Sequence, residues 1–334
     1  MELKVLNMET FMRIQTLRGD ALALATRQAD DPPPSAADTL KDPRKLYYPR
    51  VSVRLRMSPG AVPAALGHSL TFSTTEHGVD IFVLSGPGAV TGVVTGAEPV
   101  AIGPPLKGPG WLSLETADID SFNFAAQFTR DGAACVPGRF SRDFVLLDSV
   151  SGGPVSGDHT KNSSWHGYGR DLLAVADGTV VKIRDGVPDN PEAGKPGSDI
   201  SGNYLTLDIG GSAYASYLRV MPGSFRVKEG DKVRAGDTLA RVGNSGGSWA
   251  PHLHFQVTNK PELISEGIPF VFKSFEETAV CPSTKAAGFG MTLPDVLMRY
   301  FTSQTFPVSP AVIHPAPRKH ENEFPENLSV ITFQ

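Results

Sequence analysis

Two periodicities divide the chain. Over residues 9–28 the apolar positions Phe11, Ile14, Leu17, Ala21 and Leu24 recur at roughly helical spacing and predict one amphipathic helix. The run Asp31-Pro32-Pro33-Pro34-Ser35 breaks that pattern, and residues 29–44 read as a linker. From Tyr47 to about Ile102 the pattern alternates and is rich in β-branched residues, as in Val51-Ser52-Val53-Arg54-Leu55 and Leu70-Thr71-Phe72, which predicts a small β module. Gly103-Pro104-Pro105-Leu106-Lys107-Gly108-Pro109-Gly110-Trp111 reads as a hinge into a second series of strands and turns. That series reaches about residue 275 and is interrupted by a polar stretch at 185–201. Beyond it, a short helix is predicted at Leu293–Phe301 and a closing strand at Leu328–Phe333. The predicted layout is an N-terminal helix and linker (1–44), an accessory β module (45–103), a larger antiparallel β domain (104–275) and a C-terminal extension (276–334), mainly β throughout.

Composition agrees with many short strands joined by tight turns, since 34 glycines and 28 prolines are spread over 334 residues without a repeat. The formal net charge of −4 gives no reason to expect nucleic acid or an anionic membrane as a partner. No apolar run approaches the roughly 18–20 residues that span a bilayer. Ala21–Ala25 is too short for the apolar part of an export signal. Cys135 and Cys281 are the only cysteines; one disulfide and two thiols are both compatible with that count.

The candidate chemistry concentrates near residue 250. A turn-rich loop, Gly243-Asn244-Ser245-Gly246-Gly247-Ser248, leads into Pro251-His252-Leu253-His254-Phe255-Gln256-Val257. Residues two apart on a strand share a face, so His252, His254 and Gln256 point one way while Leu253, Phe255 and Val257 pack behind them. Two imidazoles on one face can share a metal, or one can bind it while the other works on an attacking water. Upstream, Val227 to Gly243 holds two Gly-Asp turns flanking short apolar stubs, a compact β corner. Carrier domains of the biotinyl or lipoyl type have a similar corner, but the loop at 243–248 lacks the exposed lysine they need.

Four blocks occur in a telling order: Leu173-Ala174-Val175-Ala176-Asp177-Gly178-Thr179-Val180-Val181, then Gly202-Asn203-Tyr204-Leu205-Thr206-Leu207-Asp208, the Gly-Asp corner, and Pro-His-Leu-His-Phe. In this order and spacing they resemble the M23 (lysostaphin/LytM-like) metallopeptidases, over roughly residues 104–275. The resemblance implies an antiparallel β fold, one Zn²⁺, and cleavage of peptide bonds in peptidoglycan at the cell envelope or outside the cell.

By the same resemblance, His254 is a metal ligand and His252 acts on the attacking water or the developing oxyanion. No histidine is followed four residues later by aspartate, the family's usual first segment; His159 leads to Ser163 and His166 to Arg170. A divergent branch carries its aspartate in an Arg-Phe-Ala-x-Asp-Trp-like segment. Arg139-Phe140-Ser141-Arg142-Asp143-Phe144 resembles it, which makes Asp143 the metal carboxylate. That branch has a histidine about twenty residues earlier, where this chain has Asn123. The third protein ligand is therefore Asn123, His159, His166 or absent, and an asparagine is a poor zinc ligand beside histidine. The remaining family histidine maps to Arg219, which could stabilise an oxyanion but cannot exchange a proton near neutral pH. The expected function is a zinc metalloendopeptidase acting on peptidoglycan. The alternative is a catalytically impaired domain of the same type that binds cell wall or regulates.

Overall fold

A computed structural model describes the strands of the first 97 residues as backbone, and the chain more fully over 98–114, 123, 128–130, 133–148, 153–280 and 312–334. It divides into two units, Met1–Glu98 and Pro99–Gln334. The architecture is mainly β, as expected.

In the first unit an antiparallel sheet places Glu2–Asn7 between Arg13–Arg18 and Ala65–Phe72, and Ala65–Phe72 also pairs with Phe82–Leu84 and Gly92–Val93. The helix predicted over 9–28 is not formed. Arg13–Arg18 is a strand, in register with Glu2–Asn7 as Leu3 opposite Leu17 and Val5 opposite Gln15, and Thr26–Arg27 pairs with Arg50–Val51. Pairing with the strand just before it overrides the helical spacing of Ile14 and Leu17, because a paired strand satisfies the same backbone groups that a helix would. The linker at 29–44 and the helix expected at Leu293–Phe301 lie outside the described residues.

The second unit is built on an eleven-stranded sheet. Its order runs Lys232–Val233, Gly178–Arg184, Tyr204–Asp208, Tyr214–Leu218, Leu253–Thr258, Arg142–Leu146, Gly108–Leu114, Ser329–Phe333, Phe270–Val280 and Val312–Glu323, with Val100–Ile102 joining Phe270–Val280 in parallel. The expected closing strand is therefore present and lies inside the sheet. The stretch read as a hinge departs from expectation. Gly108–Leu114 is an interior strand, paired on one side with Arg142–Leu146 and on the other with Ser329–Phe333. Its glycines and proline suggested a break, but Trp111, Leu112 and Leu114 are buried and hold it in place. The strand Phe270–Val280 runs across position 275, where the sequence had separated domain from extension.

The core explains why the site strand sits still. Leu253, Phe255 and Val257 project into one apolar cluster, where Phe255 meets Tyr217 and Phe270 edge to face at 5.2 and 5.4 Å. Phe144 meets Phe272 and Phe333 in the same manner. Such ring pairs add about 0.5–1.5 kcal/mol each beyond area burial. With one side of Leu253–Thr258 locked in this way, the opposite face is fixed to within a side-chain rotamer.

Candidate metal centre and active site

The predicted polar face of Leu253–Thr258 forms as the alternation requires, and the sheet brings Asp143 to it. Asp143 lies opposite His254 in the antiparallel pair, and Leu218 lies opposite His254 on the other side. His254 Nδ1 is 2.8 Å from Asp143 Oδ1, and His252 Nε2 is 3.8 Å from the same oxygen. All three residues are buried.

The hydrogen bonds around the two rings fix their tautomers. Leu263 O accepts from Gln256 Nε2, which leaves Gln256 Oε1 to accept from His254 Nε2 at 3.2 Å. His254 Nδ1 lies 2.8 Å from the Asp143 carboxylate oxygen, the length of a hydrogen bond to a carboxylate. His252 is set the other way: Nδ1 donates to the Ala250 carbonyl at 2.7 Å, so the Nε2 lone pair faces the site. Burial is the largest influence on His252 and, despite the opposing Asp143 charge, lowers its pKa to about 4. Burial alone would raise Asp143, but the charges of His254 and His252, the His254 hydrogen bond and the Arg219 charge together bring it below its ordinary value.

The loop ahead of the strand is held by close backbone approach. Gly246 and Gly202 pack against each other at φ of +77° and +65°, and a Cβ on either would collide with the opposite loop. Asn203 ties the same region together, donating from Nδ2 to Val187 O and Val220 O while its backbone N–H donates to Ser245 Oγ. The polar stretch at 185–201 is anchored by the Arg184–Asp199 ion pair, with Asp199 also accepting from the Ser201 and Gly202 amides.

Of the residues singled out by sequence, Asn123 reaches the pair, with Nδ2 3.4 Å from Asp143 Oδ2. His159 and His166 do not join it. His166 Nε2 lies 3.3 Å from Ser156 Oγ, and His159 contributes its backbone carbonyl to Trp165 Nε1. Among the described residues no three His, Cys, Asp or Glu side chains form a metal-binding group. Arg219 follows Tyr214–Leu218 directly, adopts φ +67°, and donates from Nη1 to the Ile200 carbonyl. Gln256 was not recognised as functional from sequence; its place on the His252–His254 face was the available signal. Cys135 is buried, and Cys281 lies outside the described residues.

The donor set fits a metal ion, weakly. Asp143 and His254 are strong donors that meet at 2.8 Å, Gln256 orients His254, and Asn123 can add only an amide.

Residues 165–265 match the model of peptidase family M23. Arg219, His252 and His254 fall inside that span, whereas Asn123 and Asp143 precede it. A relative described as an uncharacterized metalloprotease, from Buchnera aphidicola subsp. Baizongia pistaciae (strain Bp), is 35% identical over 106 residues, which are 32% of this chain and 26% of the relative. The alignment thus spans about a quarter of that relative's length. The catalytic domain of the antimicrobial peptidase lysostaphin from Staphylococcus simulans is 26% identical, covering 33% of this chain and 79% of that one, with a TM-score of 0.23. A zinc containing peptidase from Vibrio cholerae is 18% identical, covering 61% of this chain and 50% of that one, with a TM-score of 0.26. Over residues 165–265, this chain is similar to peptidase family M23.

Proposed function

We propose that the chain is a metal-dependent endopeptidase that hydrolyses peptide bonds in peptidoglycan, and that it works at the cell envelope or outside the cell. The observation that carries this reading is the convergence of three buried side chains. Asp143 and His254 meet at 2.8 Å, and His252, anchored on Ala250 O, turns its Nε2 lone pair towards the same carboxylate oxygen.

Asp143 and His254 would hold the ion, with Asn123 as a weak third donor. A bound zinc would polarise the scissile carbonyl and lower the pKa of an attacking water. His252 Nε2 accepts the proton of that water, and its low pKa keeps the lone pair available at neutral pH. Arg219, next to the Leu218 that lies opposite His254, carries a permanent charge that would favour the oxyanion as it forms.

The test is release of soluble peptide from purified peptidoglycan by zinc-replete protein, compared with His252→Ala. The reading predicts release that the variant loses, and it is sunk if wild type and variant release equal amounts.

A second reading, a wall-binding or regulatory module with impaired turnover, is favoured by Asn123 and Arg219, which occupy two positions where the family has histidine. Under that reading zinc-replete protein binds peptidoglycan without cleaving it, and the double variant Asn123→His/Arg219→His gains hydrolysis. No gain in a folded, metal-replete double variant would count against it.

A further inference from the structure

Asn190 lies in the polar stretch at 185–201, yet it is buried, and it directs all three of its N–H hydrogens at the loop ahead of the histidine strand. Its backbone N–H donates to Asn244 O at 3.0 Å, and its Nδ2 donates to Gly246 O at 2.9 Å and to Ser248 O at 2.8 Å. Three carbonyls, each two residues from the next, are thus tied to one asparagine. The carbonyl of Asn190 accepts from Asn162 Nδ2 at 2.7 Å, and Asn162 Oδ1 accepts from Asn244 Nδ2 at 2.8 Å, so Asn162 braces the residue and the loop together.

Ser248, the last of the three, is where the loop meets the ring of His252. Its hydroxyl donates to the Ala250 carbonyl at 2.8 Å and lies 3.3 Å from His252 Nδ1. The same carbonyl accepts from His252 Nδ1 at 2.7 Å. A carbonyl has two lone pairs, so it serves both donors without competition. Ala250 is itself seated in the apolar cluster that contains Trp165, Leu114 and Val145. Nδ1 is fixed as the protonated nitrogen, and Nε2 keeps the lone pair. Asn190, Ser248 and Ala250 are all shielded from solvent, so a hydrogen bond lost among them leaves a buried group unsatisfied.

We propose that Asn190 is a positioning residue for His252: by stapling residues 244–248 it places the Ser248 hydroxyl and the Ala250 carbonyl so that the ring keeps its proton on Nδ1 and presents Nε2 to the cleft. The catalytic value of this arrangement rests on the reading that His252 Nε2 takes a proton from water. The ring setting does not, since each link from Asn190 through Ser248 and Ala250 to His252 is a direct hydrogen bond.

The experiment reads the ring directly, by long-range ¹H–¹⁵N NMR of the His252 nitrogens in the metal-free chain at neutral pH, with the signal assigned through His252→Gln. Wild type should show a single tautomer protonated on Nδ1. Asn190→Ala should show a mixture of tautomers. With a soluble peptidoglycan fragment and zinc-replete protein, its kcat should fall by about 10²-fold at unchanged KM, the size expected when a reacting group is misplaced by about 1 Å. Ser248→Ala, which deletes one oxygen and keeps Ala250 O, should move both readouts the same way, with kcat down by about tenfold. Tyr168→Phe removes a 2.7 Å hydrogen bond to the neighbouring Asp189 and should leave the His252 signal as in wild type. A merely stabilising role for Asn190 would lower the unfolding midpoint in Asn190→Ala and Tyr168→Phe alike and leave the ring unchanged in both. An unchanged His252 signal in folded Asn190→Ala overturns the proposal, as does a wild-type ring protonated on Nε2 or a mixed-tautomer variant that keeps the wild-type kcat. If Asn190→Ala does not fold, Ser248→Ala decides by the same signal. Hydrolysis by wild type is scored separately. A ring that responds to Asn190 in a chain without hydrolysis would defeat the peptidase reading and leave this one standing, whereas hydrolysis with an indifferent ring would do the reverse.

Discussion

Among the described residues, the second unit contains two buried carboxylate–histidine pairs of nearly the same separation. Asp143 and His254 meet at 2.8 Å across antiparallel strands, and Glu277 and His314 meet at 2.8 Å where Phe270–Val280 pairs with Val312–Glu323. Each has an arginine at hand, Arg219 for the first and Arg318, 3.6 Å from Glu277, for the second. The pair alone therefore says little about chemistry. What separates them is the surroundings. Asp143–His254 has a second imidazole with a lone pair turned inward, a glutamine that fixes the tautomer, and an arginine held in a strained backbone. Glu277–His314 lies at the margin of the sheet with Arg318 largely exposed, and it joins the strand Val312–Glu323 to Phe270–Val280.

The comparison breaks most readily on activity. His252→Ala should lower peptide release by about 10²–10⁴-fold, the usual size of a lost general base, while His314→Ala leaves the rate per folded molecule unchanged. Comparable losses in both would erase the distinction. The next effect concerns the tautomer. Gln256→Ala should weaken zinc binding by about 10–100-fold in a competition assay, and Arg318→Ala should leave it unmoved. Stability should sort the other way: Glu277→Ala leaves His314 buried without its acceptor and should cost about 1–3 kcal/mol in urea unfolding, with zinc stoichiometry intact.

The smallest effect is a slope. The pKa of His252 in the folded chain, about 4, lies below its unfolded value near 6.5, so the unfolded chain binds more protons between these limits. The contribution is complete above about pH 6.5 and is lost as pH falls towards 4. Metal-free protein should lose stability through that window, and His252→Gln should flatten the slope while His314→Gln does not.

How much of this was legible in the sequence depends on how local the determining information is. The alternation of His252, Leu253, His254, Phe255 and Gln256 fixes which side chains share a face, because the period of a strand is a property of the strand itself. Asp143 and Asn123 were found through spacing and family resemblance; the sheet brings Asp143 to His254, and Asn123 Nδ2 lies 3.4 Å from Asp143. Pairing partners were illegible: Arg13–Arg18 is a strand because the adjacent Glu2–Asn7 pairs with it, and Gly108–Leu114 is interior because the distant Ser329–Phe333 lies beside it. The Arg219 tether is a backbone carbonyl, Ile200 O, which no residue type encodes. The bonds that assign the ring tautomers belong to the same class, since one of them ends on the carbonyl of Ala250.

The place of Ser329–Phe333 in the sheet has a kinetic consequence. Val330 pairs with Leu112, and Leu112 with Val145 on the strand that carries Asp143. On the ribosome, Gly108–Leu114 emerges long before its partner exists, so one edge of the site-bearing layer stays open until nearly all of this sequence has been made. Such non-local pairing is slow to form and leaves an unpaired edge exposed in the meantime. Assembly of the cleft should therefore lag well behind synthesis of the residues that compose it, and recovery of active protein should respond more to chaperone supply and temperature during expression than to changes in the cleft itself.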